Sequence, residues 1–507
     1  MTYKFPCWMI FCAAALLLWG CSDDGDDGNG GPSGNGDRVG ELIADLAAAQ
    51  PGDVVTMEAG ASYTGSFEVP AGVVLNGNGA LVSVTDGAAF RLEGGASDTP
   101  TRVTNVRIEA QGVGILASGG DLLQIDNVTI DSITGVGMAV EEVGQVIMQQ
   151  VEINGPIDDD SVGELGEVID AGETSLAGLI VTDSAINFSQ TSVNNFAAFG
   201  AVLFETEGIW RGSVLQGNVG TSVLVEGSEV DMEDIEILHA RAGPSQPTPA
   251  LVLAAGSQVN SRNLNIEQTE GVGVLQDGSA AEHRDLAVTD SQGVGLWVQN
   301  NVGDNIQTLK LNGTTELRGN GSVGFYARDV TGLELEGEVV IAQTRLRPEV
   351  VGDNLLQVDV GDGMQLVGIS GPVSLRNITL EDNPRVGLLI DGSFDQEPEQ
   401  EPDYSVTDVT ILADNVPVED GRPLGLISQN NGPQREALAD GVSLSDELDQ
   451  RDRDIDAALD TVRKNTLPSA RLIGDNGLIG DNGLIGDNGL IGDNGKVGPA
   501  GLIGDNG

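Results

Sequence analysis

The sequence predicts an all-β solenoid, and three observations point to it. Two short strand phrases recur along most of the chain, they recur at a constant step, and chain-turning residues separate them. The first phrase is an apolar-x-apolar run after a polar residue: NVRI from Asn105, NVTI from Asn127, QVEI from Gln150, NLNI from Asn263, NITL from Asn377 and DVTI from Asp408. The second is a glycine-led strand: GVGILA from Gly112, GVGMAV from Gly135, GVGVLQ from Gly271, GVGLWV from Gly293, SVGFYA from Ser322 and RVGLLI from Arg385. Adjacent copies lie 22 or 23 residues apart, as in Val106 to Val128 to Val151 and Gly273 to Gly295. Strands this short cannot bury their inward residues alone, so coils must stack and share one core. Val, Ile and Leu suit the inward face because each rests on its equivalent in the next coil. Gly, Asn and Asp turn the chain between strands.

The elements follow in order. Residues 1–20 carry Lys4 and then the apolar run FPCWMIFCAAALLLWG, too short for a comfortable membrane span, which reads as a secretory signal. LLWGC resembles the bacterial lipobox through Leu18, Gly20 and Cys21, with Trp19 bulkier than the pattern prefers. The resemblance implies lipid attachment at Cys21 and a membrane partner reached through that anchor. Residues 21–37, rich in Asp and Gly, read as a flexible acidic tether. Val39, Leu42, Ile43 and Leu46 then fall on one face of a short helix, and Pro51-Gly52-Asp53 turns the chain into strands.

At this point the motifs become specific. A capping helix, AAQPGD, AGASYTG, VPAGVVLNGNG and then repeated NVxI strands resemble the right-handed parallel β-helix, the pectin-lyase-like superfamily, over residues 38–412. The resemblance implies the fold; it leaves activity open, because this fold hosts lyases, hydrolases, epimerases, adhesins and scaffolds. Polar stretches at Gly155–Ser175, Gln343–Gly363 and Ser393–Asp403 read as insertions in the repeat. Residues 413–470 read as a linker and a helix, with Leu444, Leu448, Ile455, Leu459 and Val462 on one face, expected to cover the last coil. Residues 471–507 repeat LIGDNG. This tail resembles hexapeptide repeats and is expected either to be disordered or to form strands against a second copy, giving self-association.

Composition bounds function. The 507 residues are 40% hydrophobic but only 4% aromatic, with a formal net charge of -54. Such charge repels nucleic acid and argues for a solvated exterior; its functional reading is Ca²⁺ binding through carboxylates. An enzyme resembling a polygalacturonase requires an Asp pair presented on separate coils, and the adjacent Asp158, Asp159 and Asp160 do not supply it. A lyase requires arginine or lysine near a uronate; Arg345, Arg347 and Arg385 are the candidates, without the family's full spacing. His239 and His283 lie about two coils apart. If Gly273, Gly295 and Gly324 are equivalent, Trp297 and Tyr326 stack on one outer face beside Arg328, as a platform for a sugar ring. The sequence therefore favours a lipid-anchored envelope protein, a scaffold or adhesin-like module for glycans or surface proteins, and leans against an enzyme. Its alternative is a polysaccharide lyase or glycoside hydrolase.

Overall fold

The computed structural model describes residues 35–132, 135–156, 177–242, 248–254, 256–301, 308–351, 356–391, 404–411 and 424–429. The signal, tether, hexad tail, the helix expected near 443–465 and two of the three insertions lie outside these ranges, as does the acidic triplet Asp158–Asp160. Within them the chain is an all-β solenoid of parallel strand ladders with one N-terminal helix. Strands from each turn of the chain pair in parallel with the same strands of the turns before and after. Two kinds of strand alternate. Short ones such as Val113–Ser118 and Val136–Glu141 carry the GVG phrase, and long ones such as Leu122–Ser132 and Gln145–Asn154 carry the NVxI phrase. The register aligns Val106, Val128 and Val151, matching the expected step.

Each long strand is two legs joined at one residue. In Leu122–Ser132, Leu123 and Ile125 are buried on one side of Asn127, and Val128 and Ile130 on the other. The alternation changes phase at Asn127, whose φ is +52°. That single left-handed residue bends the strand so that both legs aim their apolar residues inward. Asn105, Asn263 and Asn377 repeat it, with φ of 55°, 54° and 56°. Asparagine suits the place twice over: it tolerates the left-handed region, and its amide bonds the next coil, as where Asn127 Nδ2 donates to Asn105 Oδ1 at 2.7 Å.

A second asparagine file holds the corner where long strands give way to short ones. Asn320 is fully buried; its Nδ2 donates to the Val288 carbonyl and its Oδ1 accepts the Ser291 N–H, both at 3.0 Å. Asn218 makes the equivalent pair with Val193 and Phe196. Backbone groups that no strand can reach are thereby satisfied inside the core. The inward glycines of the GVG phrase leave room for the opposite wall: a Cβ on Gly137 would meet Ile153 Cγ2 at 2.2 Å.

The ends differ slightly from expectation. The helix Asn35–Ala48 caps the first coil with Leu42 and Leu46 buried and Val39 packed against the core. Ile43 is 50% exposed, so the buried face is narrower than the sequence pattern suggested. The Gln343–Gly363 insertion is an antiparallel hairpin, Arg347–Val351 against Leu356–Val367, grown out of the ladder. Pairing also continues beyond residue 412, with Leu424–Gln429 parallel to Val386–Asp391.

Candidate functional site

The residues singled out by the sequence gather on the outer face of the short-strand sheet. Leu275, Trp297 and Tyr326 lie in register on successive coils. The two rings meet edge to face, with centroids 4.7 Å apart and planes at 75°. They belong to an apolar cluster separate from the interior core, made of the alternate residues of each short strand. Trp297 Nε1 donates to Gln299 Oε1 at 2.8 Å, and Gln299 Nε2 and Asn300 Nδ2 both donate to Asp277 Oδ1. Arg328 stands in register with Gln299 and pairs through Nε with Asp329 at 3.1 Å. The structure thus brings all three predicted residues together. It does not leave an open ring platform: Trp297 is 3% exposed and Tyr326 0%, because the aromatics continue a closed aliphatic column.

The predicted arginines are held by carboxylates. Arg385 grips Asp362 through Nε and Nη2 at 2.7 and 2.6 Å, and Gln365 Nε2 donates to the same carboxylate at 2.5 Å. Gln365 is the residue in register with Tyr326, so this cluster adjoins the aromatic pair. Arg345 pairs with Asp290. The histidines do not meet. His239 occupies a left-handed corner, while His283 is wholly buried, its Nδ1 2.7 Å from Ser261 Oγ. Among the described residues no group of three or more His, Cys, Asp or Glu side chains is arranged to hold a metal ion.

Sequence reasoning missed an acidic cleft at the corner where short strands give way to long ones. One left-handed residue occupies this corner in each coil, and in three successive coils it is acidic: Glu142, Asp183 and Glu205, with φ of 53°, 46° and 47°. The residue after it turns inward. Ser184 Oγ accepts the Val143 N–H at 3.0 Å and donates to the Thr182 carbonyl at 2.8 Å; Ser228 Oγ does the same for Thr206 and Glu226. These bonds pin the corners, and the register Thr182 to Phe204 sets Asp183 beside Glu205 on adjacent coils. Their carboxyls hydrogen-bond, which together with charge repulsion and slight desolvation raises the pKa of Glu205. The pair opens on a cleft of about 470 Å³ also lined by Ser184, Thr206, Glu207 and Glu229. The signal available in the sequence was the 22-residue spacing of Asp183 and Glu205, one coil step.

The fold defines the class as far as architecture: an all-β solenoid of parallel strand ladders. No protein-family model matches the chain, and no curated protein matches it. Solved structures of similar fold include tailspike protein 3 of bacteriophage CBA120, at 11% identity over 78% of this chain and 59% of that one, TM-score 0.29. The chain therefore spans less than two thirds of that tailspike. The Azotobacter vinelandii mannuronan C-5 epimerase AlgE4 A-module matches at 13% identity over 75% of this chain and 94% of its own, TM-score 0.25. A mannuronic acid-specific polysaccharide family 6 lyase from human gut microbiota matches at 10% identity over 80% and 98%, TM-score 0.30. These likenesses are of fold. The expectation that leaned against an enzyme is nonetheless corrected, since epimerases and a lyase stand among the solved structures of this fold.

Proposed function

We propose that the chain is a polysaccharide-processing β-helix that cleaves glycosidic bonds at the Asp183–Glu205 cleft. The observation that carries the reading is two carboxyls set side by side on adjacent coils in one open cleft. Hydrolysis requires one carboxyl to hold a proton for the leaving oxygen while another, ionised, activates water or supports the developing positive charge. Glu205, whose pKa is raised by its carboxyl neighbour, suits the acid role, and Asp183 is the partner carboxyl. Hydrolysis fits better than lyase chemistry, because Arg345 and Arg385 are bound to Asp290 and Asp362 rather than lining this cleft. Four carboxyls line it, and no described Lys or Arg pairs with any of them. A polyuronate is repelled there, so the substrate class is a neutral polysaccharide.

Release of new reducing ends from neutral polysaccharides tests the reading. Asp183→Asn and Glu205→Gln are each expected to lower turnover about 100-fold or more, as loss of an acid or base does. Activity in both variants equal to the parent sinks it. The lipobox-like LLWGC supports anchoring of Cys21 in a bacterial envelope membrane, and Cys21→Ser is expected to move the protein from the membrane to the soluble fraction. The LIGDNG repeats support self-association, for which equal mass with and without residues 471–507 is the contrary result.

A further inference from the structure

One coil of the rod has an interior unlike its neighbours. In the inward column that contains His283, the preceding coils present Met148, Phe188, Trp210 and Met232, and the following coils Leu311 and Leu335. Between them stand Ser261 and His283, in register on adjacent coils. On the short strand of the same coil, Gln276 interrupts a second inward column between Leu253 and Val298. A third narrows there, with Ala281 between Val259 and Leu309. These polar groups are only half satisfied. His283 Nδ1 lies 2.7 Å from Ser261 Oγ, and Gln276 Nε2 donates to the Ser279 and Thr308 carbonyls at 2.9 and 2.6 Å. His283 Nε2 and Gln276 Oε1 are buried without a partner. Water would satisfy both in an opened coil, so each weakens the closed one. Solenoid stability is a sum over coils and the contacts between neighbouring coils, which keeps the deficit local.

We propose that the coil Val274–Thr289 is a built-in break point, at which acid parts the rod into two cooperative units. One unit carries the Asp183–Glu205 cleft and the other the Trp297–Tyr326 pair. The trigger is a proton on His283. Among the described residues no titratable group faces the imidazole. The strand before it turns Val259, Ser261 and Leu264 inward, the strand after it Leu309, Leu311 and Thr315, and the short strand Val274 and Gln276. The ionisable groups of these strands lie outward or at the bends: Arg262 and Glu267 before it, Glu282, Arg284 and Asp285 on its own strand, Lys310, Glu316 and Arg318 after it. Asp277 is on the outer side of the short strand, where Gln299 and Asn300 hold it. A protonated His283 is therefore a core cation with no counter-ion and no acceptor at Nε2, whereas water solvates it in the opened coil. Burial holds its pKa down at about 4 from 6.5. The driving force for opening is absent above pH 6.5 and grows as pH falls towards 4.

Amide hydrogen exchange of the full chain, resolved strand by strand and corrected for the intrinsic pH dependence of exchange, tests the proposal. Between pH 7.5 and pH 5, protection of Gln258–Glu267 and Ala280–Thr289 is expected to fall about 30-fold, the factor that the two pKa values set. Leu122–Ser132 and Gln145–Asn154 are expected to change several-fold less. Loss spread evenly along the rod, or advancing from its ends, overturns the proposal. His283→Leu, which repeats the Leu311 of the next coil, is expected to abolish the local loss; a local loss that survives in the folded variant overturns the proposal as well. The position of the loss in the unaltered chain is read without any variant, so a His283→Leu chain that does not fold still leaves a deciding result. No readout involves substrate, so failure of the break point is distinct from failure of the glycosidase reading.

Discussion

Two single residues carry sharp pH consequences. His283 is enclosed in the core, and burial lowers its pKa to about 4 from an ordinary 6.5. Between those values the unfolded chain binds a proton that folded His283 refuses, so stability present above pH 6.5 is lost as pH falls towards 4. Over the whole window the loss is about 3 kcal/mol, at about 1.4 kcal/mol per pH unit. Denaturant titrations of the parent and His283→Leu are expected to differ in slope within that window; parallel curves contradict the assignment. Glu205 acts in the other direction. Its raised pKa keeps a proton available, so turnover should fall as pH rises through that pKa, and this basic limb should disappear from the residual activity of Glu205→Gln. Neither feature was legible as chemistry in the sequence. His283 looked like one of two unrelated histidines, and Asp183 and Glu205 belong to no motif that the sequence singles out. Only the corner geometry makes neighbours of residues one coil apart.

The repeating elements show where sequence reading succeeds. The NVxI and GVG phrases were legible as strands because their apolar residues must coincide from coil to coil, and the register of Val106, Val128 and Val151 follows that constraint. The column Leu275–Trp297–Tyr326 was legible for the same reason. Its burial was not, because strand alternation says which way a side chain points and nothing about what covers it. The bend within each long strand was also hidden: Asn127 reads as a boundary, whereas it is a left-handed hinge inside one strand. Two substitutions probe these elements. Asn320→Ala strips partners from the Ser291 N–H and the Val288 carbonyl, and a loss of about 2–4 kcal/mol is expected from two orphaned buried groups. Gly137→Val sets a branched side chain against Ile153 and the Gly178 carbonyl, where a Cβ alone would lie 2.2 and 2.5 Å from them. Overpacking of that kind should cost at least 1–3 kcal/mol, read from the urea midpoint.

For the whole molecule, the rod is a stack of nearly equivalent coils, and the proposed chemistry sits where one corner departs from its neighbours. The short-strand-to-long-strand corner carries Glu142, Asp183 and Glu205 in three successive coils and glycine in the next, at Gly227. A charge of -54 spread over the chain favours neutral polymers over polyuronates and should make any residual binding of anionic glycans strengthen with salt. The central claim is that this corner cleaves a neutral polysaccharide. The most direct measurement is release of new reducing ends from a panel of neutral and acidic polysaccharides by the folded protein, run beside Asp183→Asn and Glu205→Gln. Release from a neutral polymer, lost in both variants while their β-sheet signal is intact, is the predicted result. No release from any polymer, or release that survives both substitutions, would contradict it.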